Sequence, residues 1–338
     1  MDMQGAINAV AEHQDLSHDD MTAVMRIIMS GSATEAQIGA FLMGLRMKGE
    51  TVGEIAAAAA VMREVATGVD IQADHMVDTV GTGGDGAATF NISTTCTFVA
   101  AAAGANVAKH GNRSVSSTSG AADVLEAAGV RLDLSPHEVA TCVTDVGVGF
   151  MFAPHHHQAM RFAIGPRREM GTRTLFNLLG PLTNPAAAPN QLVGVFAREW
   201  VKPVAQVLSE LGSNHVLVVH SDDGLDEISI SAPTYIAELK AGEITTFSVE
   251  PSQFGFETRP LSEICVGNVE ESLNLVRGVL DGETGAARDI VLLNAGAAIY
   301  VAGLAATVAE GIDAARTAID SGQAKARLER LVALSNSF

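Results

Sequence analysis

Basic residues are scarce in this chain. Twenty-one Lys and Arg stand against 39 Asp and Glu, a formal net charge of −18, and a field of that sign disfavours nonspecific attraction to nucleic acid. Cysteine is scarcer still. Cys96, Cys142 and Cys265 lie far apart and never at C-x-x-C spacing, so they are expected to be reduced structural thiols, with a cytoplasmic location following from that. Clean apolar runs of membrane length are missing: 98–103 and 290–306 are rich in Ala and Gly or interrupted by Asn294 and Gly296, more like buried helices than membrane spans. Residues 1–15 are acidic and amphipathic, without the basic start and apolar stretch of a signal peptide, so export is not expected. There is no G-x-x-x-x-G-K-[ST], which argues against an ordinary P-loop NTPase. Internal repeats, low-complexity tracts and long linkers are also lacking.

The chain does have a large apolar fraction, 47% against 18% charged, over 338 residues. That composition belongs to a compact protein able to bury a large core, and the length suggests one large domain with a smaller one. Helix-start signals crowd the first seventy residues: Ser17 with Asp20, Thr34 with Gln37, and Thr51 with Glu54 have capping-box spacing or a close variant. They predict helices near 3–13, 18–29, 35–47 and 52–67. Leu42, Met43 and Leu45 in the third and Ile55, Ala59 and Met62 in the fourth are expected in a helical core. From residue 76 the pattern changes to short β runs at 76–80, 106–108, 148–152, 191–196 and 215–220, alternating with helices near 93–103, 120–128, 136–146 and 199–211. Such alternation implies a mostly parallel sheet with helices on both faces. Residues 227–231, 234–239 and 244–249, with a turn at Ala241-Gly242, are expected as antiparallel strands at one edge. The remainder, 269–335, reads as helices packed back on the sheet. The expected class is therefore α/β, a small all-α N-terminal domain plus a large α/β domain with a mostly parallel central sheet flanked by helices.

The chemistry concentrates in loops. Gly81-Thr82-Gly83-Gly84-Asp85-Gly86 follows a predicted strand and precedes a helix starting near Ser93, a place where bare N–H groups and a helix N-terminus make an anion site. The turn formally satisfies G-x-G-x-x-G, a weak signal alone. A dinucleotide fold would put an acid at the end of the next strand, yet that strand runs into Lys109 and His110. Thr89, Asn91, Ser93 and Thr94 add side-chain oxygens beside the turn; helix capping is the ordinary alternative, and the adjoining glycines favour phosphate or metal contact. A second donor-rich loop, Lys109-His110-Gly111-Asn112-Arg113-Ser114-Val115-Ser116-Ser117-Thr118-Ser119-Gly120, again lies between a short apolar segment and a helix. Two such loops point to a substrate with more than one phosphate.

After the apolar run 216–220 comes Ser221-Asp222-Asp223-Gly224-Leu225-Asp226-Glu227. Ligands of open α/β sheets bind beyond the C-terminal strand ends, and hard carboxylate oxygens there suit Mg²⁺ bridging to phosphates. His155-His156-His157 is not read as a metal site, because consecutive histidines cannot all face one ion and no partner has diagnostic spacing. Arg161, Arg167, Arg168 and Arg173 form a basic cluster unusual in so acidic a chain, and one of them could grip a carboxylate bidentately.

Together, Asp78-Thr79-Val80-Gly81-Thr82-Gly83-Gly84-Asp85, the run 109–120, Phe152-Ala153-Pro154, the run 173–185 and Gly224-Leu225-Asp226-Glu227 resemble, in order and over nearly the whole chain, the anthranilate phosphoribosyltransferases, glycosyltransferases of family 3 with a nucleoside-phosphorylase-like fold. The resemblance implies a cytoplasmic homodimer of two-domain subunits: a helical domain over 1–70, completed near 163–185 and supplying the dimer contact, and a phosphoribosyl pyrophosphate (PRPP) domain over 71–338. It implies PRPP contacts at Gly81, Gly84, Asp85, Thr89, Asn91, Ser93, Thr94, Lys109, Gly111, Asn112, Arg113, Ser114 and Ser117, and anthranilate contacts at Gly81, His110, Asn112 and Arg167. Two Mg²⁺ per subunit would sit on Ser93, Asp226 and Glu227. No single residue is expected to act as the catalyst; Lys109, Arg113 and the metal-bound groups would stabilise the departing charge. Small-molecule substrates are implied, with no nucleic acid and no membrane. Two positions depart from the family pattern: Ala121 stands where a serine is frequent, and the acidic loop has an apparent extra residue at Asp222 or Asp223. A pyrimidine nucleoside phosphorylase is the rival of the same fold, but it would not need the paired carboxylates. A nucleic-acid-binding relative is the rival without enzymatic activity, and it would need a basic cleft.

Overall fold

A computed structural model describes residues 1–113 and 119–338. The chain opens with four helices, α1 (Met3–Ala11), α2 (His18–Met29), α3 (Glu35–Lys48) and α4 (Val52–Glu64). Their starts follow the sequence signals. Ser17 accepts from the Asp20 N–H, and Thr34 with Gln37 and Thr51 with Glu54 close capping boxes, each cap stabilising its helix by about 1 kcal/mol. Leu42, Leu45, Ile55, Ala59 and Met62 are buried as expected. Met43 is not; it is 38% exposed, because one residue past Leu42 the helix has turned by roughly 100°. Glu54 is fully buried, where its carboxylate accepts from the Leu16 and Thr51 N–H groups and from Lys48.

The α/β unit runs β1 (Met76–Gly81), α5 (Ile92–Ala102), β2 (Asn106–Gly111), α6 (Ala121–Ala127), α7 (Pro136–Val146), β3 (Val148–Phe152), α8 (Ala153–His156), α9 (Arg161–Met170), α10 (Phe176–Leu182), β4 (Asn190–Gly194), α11 (Val201–Glu210), β5 (His215–Ser221), β6 (Thr234–Lys240), β7 (Glu243–Val249), α12 (Val269–Leu280), α13 (Ala286–Val301), α14 (Val308–Asp320) and α15 (Gln323–Ser335). Among the described residues the strands form one sheet in the order β3-β2-β1-β4-β5-β6-β7. The first five are parallel, and β6 and β7 are antiparallel. The β6–β7 turn places Ala241 and Gly242 at φ +52° and +81°, the left-handed pair that a tight hairpin uses.

Period-two alternation assigns the strand side chains to two cores. Leu192, Leu217 and Val219 join the core built with α5 and α12–α15, whereas Val193, Val216 and Val218 face α11 and share a core with the four N-terminal helices. Ala163, Leu175, Phe176, Leu178, Leu179 and Leu182 also pack in that second core. Sheet and helical bundle thus share one apolar interior.

Two further expectations change. Residues 227–231 are not a strand, because the Ile228 N–H and C=O bond to the side-chain amide of Asn294 on α13 instead of to a ladder. The three cysteines are free thiols, but only Cys96 and Cys142 are buried; Cys265 is exposed. Among the described residues no helix is long and apolar enough to cross a membrane.

Candidate active site at the sheet's switch point

From β1 the chain goes first to β2 on one side and later to β4 on the other. The C-terminal ends of β1 and β4 therefore flank the point where strand order reverses, the crevice that open α/β sheets use for ligands. β1 ends on Gly81, paired in register with Gly194 of β4. Both positions need glycine for the same reason: the Asp226 segment lies across them. A Cβ on Gly81 would stand 2.5 Å from Asp226 Oδ2, and one on Gly194 would stand 1.6 Å from the Asp226 carbonyl oxygen.

The glycine turn is fixed by its own hydrogen bonds. The Thr82 N–H donates to the Gly194 carbonyl and the Phe196 N–H to Thr82 Oγ1, each at 2.9 Å. The Gly83 N–H donates to Asp226 Oδ2, also at 2.9 Å. Gly83, Gly84 and Gly86 have φ of +64°, +74° and +74°, backbone that a side chain would strain. The Gly84 carbonyl accepts from the Arg173 guanidinium, which stacks 4.3 Å from the Phe196 ring. Asp85 follows, half-buried, with Oδ1 accepting from the Ala87 N–H.

Thr89 bridges antiparallel to Cys265. Asn91 stands at the N-cap of α5 without capping it, since its side chain is engaged by Ser119 and Ser272. Ser93 and Thr94 lie in the first turn of α5. The Thr94 hydroxyl is buried and makes no hydrogen bond among the described residues. Lys109, 2% exposed, reaches from β2 and donates to the Thr79 carbonyl and, at 3.2 Å, to Ser93 Oγ. The Ser93 backbone in turn favours the charged form of Glu227. The turn, the start of α5, Lys109 and the acidic pair therefore meet in one place.

Electrostatics there is dominated by crowded carboxylates. Burial raises the Asp226 carboxyl, and the neighbouring Asp85 charge raises it further, against the Gly83 hydrogen bond. Glu227 is raised strongly by burial and then by Asp226, with Lys109 opposing. Burial pulls Lys109 down, while Asp78 and Glu227 hold it up. Asp78 is buried and pushed up to about 6 by desolvation, moderated by Lys109 and by the Asn184 amide at 2.7 Å. One lysine facing several acids leaves the pocket short of positive charge. Among the described residues, however, no three His, Cys, Asp or Glu side chains stand close enough to hold an ion by themselves. One or two carboxylates with a hydroxyl, completed by waters and phosphate oxygens, is the coordination that Mg²⁺ accepts, and Asp226, Glu227 and Ser93 fit it.

On the other side of the turn, β2 delivers His110, Gly111, Asn112 and Arg113. A Cβ on Gly111 would meet the Phe150 ring at 2.9 Å and Ala121 at 3.3 Å, so the departure at Ala121 sits against this strand end. Asn112 is exposed, its carbonyl accepting from the Ala122 N–H. The Arg113 guanidinium is committed to Glu126 and Asp123 and lies over the Phe152 ring. Ser114 and Ser117 lie outside the described residues. Arg167 is half-buried, its guanidinium 5.3 Å from the Phe176 ring and without an ion pair or side-chain hydrogen bond among the described residues. In the acidic loop, Asp222 pairs with Arg198, and Asp223 accepts from the Leu225 N–H and the Ser229 hydroxyl. Both are thus occupied with the loop's own structure.

Four residues not assigned to the site from sequence alone support it: Gly194, Asn294, Ser272 and His157. His157 and His110 are buried with ring centroids 5.0 Å apart. The Gly180 and Thr183 backbones favour their protonation, but no well-formed hydrogen bond reaches His110 Nε2 or either nitrogen of His157 among the described residues. Burial and the neighbouring imidazoles push His110 down to about 3 and His157 down to about 4. Unfolding returns both toward about 6.5, so below that pH the unfolded chain binds protons that the folded one does not. The histidine contribution is fully present above pH 6.5 and is lost as pH falls, about 2 kcal/mol for each ring by pH 5. His157→Phe is expected to lessen the fall of melting temperature between pH 7 and pH 5. An unchanged slope would refute this. The comparison with wild type isolates the ring from the raised carboxylates, which act in the opposite sense.

Helical bundle, parallel sheet and a glycine turn at the switch point define a glycosyl transferase. The model of the glycosyl transferase family helical bundle domain matches residues 4–66, and that of the glycosyl transferase family a/b domain matches 73–325. An anthranilate phosphoribosyltransferase of Thioalkalivibrio sulfidiphilus is 63% identical over 337 residues, covering 100% of both chains. The crystal structure of anthranilate phosphoribosyltransferase from Thermus thermophilus superposes with a TM-score of 0.93 at 41% identity, over 98% of this chain and 99% of that one. The Saccharomyces cerevisiae enzyme in complex with PRPP and Mg gives 0.91 at 28% identity, over 99% and 98%. The chain belongs to the anthranilate phosphoribosyltransferase family.

Proposed function

We propose that the chain transfers the phosphoribosyl group of PRPP to the amine of anthranilate, giving N-(5-phosphoribosyl)anthranilate and pyrophosphate, a step of tryptophan biosynthesis. The observation that carries this reading is the meeting of the glycine turn, the α5 start, Lys109 and the acidic pair at the switch point. The turn's N–H groups, Asn91, Ser93, Thr94 and Lys109 would receive the phosphates. Asp226, Glu227 and Ser93 would hold Mg²⁺, two ions per subunit. When bound, the metal neutralises charge that builds on the departing pyrophosphate.

The reaction needs no strong base. The amine lone pair forms the bond to the anomeric carbon as the bond to the pyrophosphate oxygen breaks, pyrophosphate departs, and the nitrogen then gives its proton to solvent. This chain's residues orient the two reactants and offer fixed dipoles to the leaving group. The anthranilate end would be formed by Gly81, His110, Asn112 and Arg167, in a cleft between a helical domain (1–70 with 163–185) and an α/β domain (71–338). Fluorescence depletion of anthranilate by the purified protein with PRPP, run with and without Mg²⁺, is the direct test. No depletion with both present would overturn the reading.

Arg167 supplies a sharper check. A half-buried guanidinium without a partner among the described residues, desolvated enough to pull its pKa down, is a ready site for a carboxylate. Arg167→Ala is expected to raise the anthranilate KM roughly 30-fold, the loss of about 2 kcal/mol of charge-assisted hydrogen bonding, with the PRPP KM within twofold. Unaltered anthranilate kinetics would remove the assignment.

The homodimer belongs to the same proposal. Ile7, Val10, Ala40, Met43 and Met47 line an apolar groove between α1 and α3, and Met47 is 71% exposed. A second copy of the chain would cover it, and the mass in solution by light scattering tests that. A cytoplasmic location is proposed with it.

A further inference from the structure

Ser272 lies in the first turn of α12, fully buried, and no feature of the sequence points to it. Its hydroxyl makes a two-way contact with one residue. It accepts from the Asn91 N–H at 3.1 Å and donates to Asn91 Oδ1 at 2.7 Å. Ser119 Oγ donates to the same Oδ1 at 2.8 Å, while among the described residues Asn91 Nδ2 donates only one long hydrogen bond, 3.4 Å, to the Ser119 carbonyl. The oxygen end of the Asn91 amide is thereby saturated, and its NH₂ end remains available for an acceptor. The same contact stops Asn91 from capping α5. An asparagine at that position ordinarily accepts from a first-turn N–H, and here no such bond forms, so the start of α5 keeps donors for an anion.

We infer that Ser272 is a positioning residue for PRPP binding: from α12 it turns the Asn91 amide so that its nitrogen donates to a substrate phosphate or ribose oxygen, and it keeps the α5 N-terminus uncapped. This rests on the reading of Asn91 as a PRPP contact. The test is a double-mutant cycle with Ser272→Ala, Asn91→Ala and the pair. KM is measured for both substrates, together with the melting shift induced by PRPP and Mg²⁺. Ser272→Ala is expected to raise the PRPP KM about tenfold and shrink the PRPP-induced shift, with kcat and the anthranilate KM within twofold. In the Asn91→Ala background the same change should add less than twofold.

A fully additive second effect would overturn the Ser272 route alone, as would a wild-type PRPP KM in Ser272→Ala. A wild-type PRPP KM in Asn91→Ala would remove the Asn91 contact itself and the inference with it. Should the alanine variant fold poorly, Ser272→Cys keeps the volume with a weaker donor. Its PRPP KM is expected to rise two- to fivefold, and a wild-type value in it would equally count against the proposal.

Discussion

Changing Asp226 to Asn together with Glu227 to Gln is expected to lower Mg²⁺-dependent turnover by about three orders of magnitude, while the protein melts at a higher temperature than wild type in Mg²⁺-free buffer. The activity loss follows from the proposed chemistry. An amide oxygen is a poorer ligand for a hard dication than a carboxylate, and losing the charge it holds against the departing pyrophosphate is worth about 4 kcal/mol. The stability gain follows from what surrounds the pair. The Asp85 charge raises Asp226, and the Asp226 and Asp85 charges raise Glu227, on top of the effect of burial; the folded chain thus carries repulsion that the unfolded chain sheds.

That combination separates a metal role from a structural one. If the acids only tied the loop together, as the Gly83–Asp226 hydrogen bond does, their removal would cost stability and activity in parallel. If they are ligands, Mg²⁺ with PRPP should raise the wild-type melting temperature and leave the double variant almost unmoved, since a ligand stabilises only the state that binds it. Wild-type turnover in the double variant would reject the metal assignment outright.

The elements that were legible in the sequence are those set by short-range rules. Thr34 with Gln37 and Thr51 with Glu54 mark helix starts because a cap is a contact over three residues. The parallel sheet was legible because strand and helix periods alternate, and Ala241-Gly242 because a tight hairpin demands left-handed backbone. Residues 227–231 misled for a matching reason. Their apolar alternation is real, but the partner of Ile228 is an amide 66 positions away. Separation along the chain likewise hides Ser272 from Asn91, 181 positions away, and Gly194 from Asp226. Within the site, donor-rich loops announce themselves by composition. The small or neutral residues that aim them carry no such mark, because their work is to leave room or to fill one hydrogen bond. Arg113 makes the converse point: its charge is conspicuous in the sequence, and the fold spends it on Glu126 and Asp123.

Gly194→Ala carries the second large expectation, and it arises from packing rather than charge. β4 lies between β1 and β5, so Gly194 is held on both sides, by Gly81 and by Val219. Its Cβ would fall 1.6 Å from the Asp226 carbonyl oxygen and 3.1 Å from Asp226 Cβ. Neither atom is the free end of a flexible side chain, and the segment beyond is pinned by Asn294 at Ile228. The methyl can be accommodated only by lifting the Asp226 backbone off the strand ends, at a cost of about 3 kcal/mol of overpacking. Because the acids move with it, kcat/KM should fall by roughly a hundredfold or more, as expected when groups are misplaced by an ångström or so. Gly81→Ala is the informative contrast. There the methyl meets the carboxylate end of the Asp226 side chain, Oδ2 at 2.5 Å and Cγ at 3.2 Å, which can rotate away. That variant should keep most of its stability, lose the Gly83–Asp226 contact, and need more Mg²⁺ for half-maximal rate. Equal melting temperatures for Gly194→Ala and wild type would show that the acidic segment is not seated on the strand ends, and an unchanged Mg²⁺ requirement in Gly81→Ala would show that Oδ2 does not face the ion.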